Sequence, residues 1–141
     1  MANPTVYLTF DGDCAEAFEF YADVLDGKIE ALHRFGASPM AAQLPPEEHD
    51  KVMHALLRLS DGTLMGSDTL SGQAAPLPSG FHLSLNFDQA DDARAVFDAL
   101  AEDGEVTMPL QATFWAAAFG TLVDRFGVPW MINCESASAP A

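Results

Sequence analysis

The chain is 141 residues long, enough for one domain that buries about two thirds of its unfolded surface. Nearly half of it, 49%, is apolar, which predicts a packed core, while six basic residues against 21 acidic ones set a formal charge of −15. A field of that sign repels nucleic acid and anionic membranes, so neither is expected as a partner. No apolar run approaches the roughly 20 residues that span a bilayer, and Met1-Ala2-Asn3-Pro4 lacks the basic and apolar regions of a secretory leader. Two cysteines, Cys14 and Cys134, make no disulfide framework, so reduced thiols in a cytoplasmic protein are the expectation.

Near the N-terminus Val6, Leu8 and Phe10 alternate with Thr5, Tyr7 and Thr9, a strand with one apolar and one mixed face. Asp13 is placed as helix cap or first-turn acid, and Ala17, Phe20, Tyr21 and Val24 form a helical stripe. Asp26-Gly27 ends that helix, with the glycine expected to take positive φ. Strands follow near 28–35, 52–60 and 63–68, the last two joined by the hairpin signal Asp61-Gly62. Between them Gly36–Asp50, with Pro39, Pro45 and Pro46, reads as a long mobile loop in or near which His33 and His49 are solvated.

The second half repeats the first. A shift of 77 positions puts Leu8, Phe10, Asp11, Phe20, Ala22, Asp26 and Gly27 on Leu85, Phe87, Asp88, Phe97, Ala99, Asp103 and Gly104. Phe81, Leu83, Leu85 and Phe87 alternate with His82, Ser84 and Asn86; Asp91 is the matching cap or first-turn acid, and Ala93, Val96, Phe97 and Leu100 form the stripe. Strands are predicted near 105–110, 115–124 and 128–135. The fold class is therefore α+β: one domain of two βαβββ modules, at 5–68 and 81–135, joined by a linker at 69–80 and followed by a disordered tail at 136–141. With a helix on one face of each four-stranded mixed sheet, the other face is free to curl around a cavity, and two such sheets, in one chain or across a dimer, would enclose a cup.

The run from Gln111-Ala112-Thr113-Phe114-Trp115 to Gly120, continuing through Asp124-Arg125-Phe126-Gly127-Val128-Pro129-Trp130, resembles the signature of PhnB-like proteins. Tyr7-Leu8-Thr9-Phe10, Phe20-Tyr21, Arg34-Phe35-Gly36 and Met65-Gly66-Ser67-Asp68 agree in order. The resemblance implies the glyoxalase/bleomycin-resistance-like fold of the vicinal-oxygen-chelate superfamily and a homodimer. Its members include metal-dependent isomerases, ring-cleaving dioxygenases and metal-free drug binders. Some PhnB-like sequences carry a methyltransferase label, but no glycine-rich strand-to-helix turn for a nucleotide-type donor exists here.

Superfamily metal sites resemble one another in drawing His, Gln or Glu from the first and last strands of each module. The repeat and strand alternation assign those positions to Thr5 (or Val6, one register step on), Gly66, His82 and Met131, of which only His82 is a good ligand. The family commonly has Glu where Ala112 stands and a polar residue where Ala117 stands, which removes an obvious base and acid. The expectation is thus a small-molecule-binding protein with an apolar cavity, no cofactor and no firmly bound metal. Cavity candidates are His54, His82, Asp68, Trp115, Phe35 and Met65. The first reading of His54 is nevertheless a strand-start histidine bonded to a backbone carbonyl, and that of Trp115 a core aromatic; Trp130 is read as core or dimer contact. The alternative is a metal-dependent lyase, isomerase or dioxygenase holding a divalent ion with His54, His82 and Glu135. Cys14, at a helix start without a histidine partner, is read as inert.

Overall fold

A computed structural model describes residues 4–71, 73 and 80–135. The chain divides into two compact units, Met1–Pro76 and Leu77–Ala141. Unit 1 contains β1 (Val6–Phe10), α1 (Cys14–Val24), β2 (Lys28–Arg34), β3 (Val52–Leu59) and β4 (Gly62–Asp68). Unit 2 contains β5 (Leu83–Phe87), α2 (Ala90–Ala101), β6 (Glu105–Gln111), β7 (Ala118–Val123) and β8 (Pro129–Cys134). These are the two expected βαβββ modules, and β5 and β6 begin and end 77 positions after β1 and β2. Most of the predicted linker and the whole predicted tail lie outside the described residues.

Each unit has a mixed four-stranded sheet with the first and last strands paired in parallel at its centre-to-edge step. The orders are β1-β4-β3-β2 and β5-β8-β7-β6. In unit 1 the parallel register sets Leu8 against Gly66 and Phe10 against Asp68. Leu8, Phe10, Ala55, Leu57 and Leu64 are buried beneath α1, which contributes Cys14, Ala17, Phe18 and Tyr21. The buried stripe is thus rotated from the predicted one: Phe18 is inside and Phe20 only half-buried. Gly66 lies on this helix-covered face, because a Cβ there would meet the Phe18 ring at 2.9 Å. It is therefore not the open-face ligand position that the repeat suggested. In unit 2 Leu122, Trp130, Ile132 and Cys134 form the corresponding core with Ala93, Phe97 and Leu100 of α2.

The Asp-Gly helix endings differ from expectation in an informative way. The aspartates, Asp26 (φ 53°) and Asp103 (φ 61°), take the left-handed conformation, which short polar side chains tolerate. The glycines serve close approach instead. A Cβ on Gly104 would stand 2.3 Å from the Val123 carbonyl oxygen, and one on Gly27 would stand 2.8 Å from Leu59.

The segment predicted as a mobile loop is built from three single turns of 3₁₀ helix, Phe35–Ala37, Ala41–Gln43 and Pro46–Glu48. His49 is half-buried, its Nε2 bonded to the carbonyls of Ala41 (2.9 Å) and Leu44 (3.1 Å), rather than solvated. Buried Glu48 accepts from the Ser71 amide and pairs with Lys51; the Ser71 side chain first, then Lys51, hold its carboxyl below its ordinary value. Phe35 is packed inside the first turn.

Candidate functional site: the open sheet faces

Strand alternation fixes what each module presents on the face its helix leaves uncovered. In unit 1 these are Tyr7 and Thr9 on β1, Met65 and Ser67 on β4, His54 and Leu56 on β3, and Ala31 and His33 on β2. Tyr7 pairs with Met65, Met65 with Leu56, and Leu56 with Ala31, forming one mostly apolar row. One step along, Thr9 pairs with Ser67, and His54 pairs with His33 across the antiparallel β2–β3 ladder. The Tyr7 hydroxyl and His54 Nδ1 share a hydrogen bond of 3.2 Å, with the two rings stacked at 5.8 Å. His54 therefore takes neither a backbone carbonyl as its recorded partner nor a place in the core; it stands half-buried on the open face.

In unit 2 the open face carries Ser84 and Asn86, Met131 and Asn133, and Phe119 and Thr121. Asn133 donates from Nδ2 to Asn86 Oδ1 at 3.1 Å. The predicted strand 115–124 starts only at Ala118. Before it, Thr113 closes a tight turn, its hydroxyl accepting from the amides of Trp115 (3.3 Å) and Ala116 (3.1 Å). That turn leaves Phe114 98% exposed and Trp115 52% exposed, in an edge-to-face chain running Phe114–Trp115–Phe119. Trp115 is an exposed platform and not a core residue. Trp130 is core, its Nε1–H donating to Asp124 Oδ2 at 2.8 Å.

Two other residues quoted from the family resemblance prove to hold the backbone. Asp68 is buried on the helix-covered face, where Oδ1 accepts from the amides of Gly12 (3.0 Å) and Cys14 (2.9 Å) and Oδ2 from that of Val52 (2.8 Å). It ties the start of α1 to β3, and Asp13 makes no side-chain capping bond. Asp124, also buried, takes the amides of Phe126 and Val128 on Oδ1, closing the β7–β8 turn around Gly127 (φ 86°). Cys14 is fully buried, and burial, with Asp68 and Asp13 nearby, pushes its thiol up to about 12.

The residues present do not fit a superfamily-type metal. The open-face positions on β1, β4, β5 and β8 carry Tyr, Thr, Met, Ser and Asn, and exposed His82 precedes β5. Leu83 is level with Trp130 and Phe87 with Cys134, so His82 and Glu135 sit at opposite ends of the same parallel pair. At about 3.3 Å per residue they are roughly 20 Å apart, beyond the reach of one ion within a chain. Among the described residues, no group of three His, Cys, Asp or Glu side chains converges to hold an ion.

These two helix-backed mixed sheets define a protein of the glyoxalase type. The model of the glyoxalase/bleomycin resistance protein/dioxygenase superfamily matches residues 5–132, and the chain belongs to that superfamily. It is 38% identical over 136 residues to protein YjdN of Escherichia coli K12, covering 90% of this chain and 91% of that one. The crystal structure of protein PA1353 from Pseudomonas aeruginosa is 45% identical and superposes with a TM-score of 0.87, covering 96% of this chain and 98% of that one. The chain is also similar to the PhnB protein from Bacillus cereus, at 26% identity and a TM-score of 0.81 over 94% of this chain and 99% of that one, in line with the PhnB-like resemblance of its sequence. No helix among the described residues is long and apolar enough to cross a membrane.

Proposed function

We propose that the chain is a cytoplasmic, homodimeric small-molecule-binding protein that takes an apolar or aromatic ligand on its open sheet faces and holds no metal firmly. One observation carries this reading: the faces left bare by the helices are walled by Tyr7, Leu56 and Met65 in one module and by Phe119, Trp115 and Met131 in the other. A few fixed polar groups, the Tyr7–His54 pair and the Asn86–Asn133 pair, would orient a ligand. The Bacillus cereus relative is described provisionally as a 3-demethylubiquinone-9 3-methyltransferase. The absence of a glycine-rich phosphate turn from this sequence argues against carrying that activity over.

Metal analysis of untagged protein purified without chelator, together with a thermal-shift screen of aromatic metabolites, tests the proposal. The expected result is substoichiometric metal and stabilising ligands whose effect falls in Trp115→Ala. Near-stoichiometric zinc, iron, nickel or manganese would overturn it. So would a full ligand response that is indifferent to Trp115→Ala, Tyr7→Phe and Met65→Ala alike.

A further inference from the structure

The metal ligands missing from the first and last strands have a counterpart elsewhere on unit 1, and we propose that His33 and His54 form an exchangeable transition-metal site on the open face. The two are direct partners across the antiparallel β2–β3 ladder, and their neighbours Leu32 and Ala55 face the helix side. Both imidazoles therefore rise from the same, uncovered face, with Cβ atoms about 5 Å apart. That separation lets two rings converge on one ion. His33 is exposed and His54 half-buried, so the pair is reachable from solvent.

Tyr7 supplies what a ligating histidine ordinarily has. In the His54 tautomer that carries its proton on Nδ1, the Tyr7 oxygen accepts from Nδ1–H, which holds the ring in place and leaves the Nε2 lone pair for the metal. The hydroxyls of Ser67 and Thr9 continue the same row across the sheet, offering weak oxygen donors. Two imidazoles leave several coordination positions for water or for a chelating ligand, which is why the ion exchanges. The formal charge of −15 raises the local concentration of divalent cations around the molecule. Imidazole donors select copper, nickel and zinc over magnesium or calcium, with copper(II) tightest.

The probe is chelator-stripped, untagged full-length protein titrated with copper(II), nickel(II) or zinc(II) chloride by calorimetry, with circular dichroism confirming that each variant is folded. One saturable site per chain is expected, in the order copper above nickel and zinc, lost in His33→Ala and in His54→Ala and retained in His82→Ala. Tyr7→Phe should weaken it roughly 10- to 100-fold, the effect of removing an outer-shell partner. No saturable binding in the wild type, or binding that survives either His33→Ala or His54→Ala, overturns the site. Those outcomes leave the small-molecule reading intact. Conversely, near-stoichiometric metal in the protein as purified that disappears in His33→Ala overturns the firm-metal clause of that reading and upholds this site.

Discussion

Replacing Asp68 with alanine tests whether this carboxylate is structural, because the structure gives it three backbone donors and no place on the open face. A hydrogen bond to a charged group contributes about 1.5–3 kcal/mol, and a buried donor left without a partner costs about 1–3 kcal/mol. The Cys14 and Val52 amides are in buried surroundings, whereas that of Gly12 is nearer to water. Two orphaned buried amides plus one partly rescued by solvent make roughly 3–5 kcal/mol. For a chain of this size that lowers the melting temperature by roughly 10 °C or more. The control is Asp13→Ala. An ordinary cap would cost about 1 kcal/mol on removal, but Asp13 makes no capping bond. Its carboxyl is pushed upward, chiefly by burial and then by its acidic neighbours, so the charge it carries at neutral pH is unfavourable in the folded state. Asp13→Ala should therefore melt at or slightly above the wild type. Thermal melts followed by circular dichroism at pH 7 decide the matter. An Asp68→Ala melt within about 3 °C of wild type, equivalent to about 1 kcal/mol, would refute the reasoning, as would an Asp13→Ala loss as large as that of Asp68→Ala.

Gly104→Ala should destabilise by roughly 2 kcal/mol or more in a urea titration, because its Cβ would stand 2.3 Å from the Val123 carbonyl oxygen and backbone must shift. Asp103→Gly, at φ 61°, relieves a left-handed aspartate and should be neutral or stabilising by up to about 1 kcal/mol. Burial raises the folded Cys14 thiol to about 12 from an ordinary 9.0. The sign follows from linkage: between those values the unfolded chain loses the proton and the folded chain keeps it. Stability from this group is therefore complete below pH 9 and declines progressively up to about 12. At pH 8 iodoacetamide should leave Cys14 unmodified in the native protein on the timescale that labels it fully in urea, as mass spectrometry of the peptide would show.

The architecture was legible because two periodicities coincide in the sequence. The 77-residue repeat places β5 and β6 on β1 and β2, and strand alternation separates Leu8 and Phe10 from Tyr7 and Thr9. What stayed hidden is set by individual side-chain bonds and by strand register, which periodicity does not report. Gly36–Asp50 looked mobile because of its prolines, yet His49 and the Glu48–Ser71 bond fold it back on itself. In β4, Leu64 and Met65 are both apolar and Gly66 carries no side chain, so alternation alone does not say which face Gly66 occupies. The parallel register with Leu8 does. Trp115 was readable as core by residue type, but Thr113, two positions earlier, signals the turn that turns it outward. Tyr7 and Phe119 were missed as site residues, although Tyr7 stood on the strand face already recognised as mixed.

The buried aspartates explain why the family resemblance speaks more clearly about fold than about chemistry. Asp124 and Trp130 bracket the Asp-Arg-Phe-Gly-Val-Pro-Trp run, and that run is a turn: one carboxylate receiving two amides and an indole N–H, with Gly127 in the left-handed region. Asp68 does comparable work at the other end of the resemblance, joining the start of α1 to β3. Neither side chain reaches the open faces, so a relative could keep both and change its ligand completely. The residues able to discriminate ligands are the ones that alternation turns the other way. Tyr7, His54 and His33 stand on one sheet and Phe119, Asn133 and the Trp115 turn on the other, and it is there that this chain and its relatives should be compared for activity.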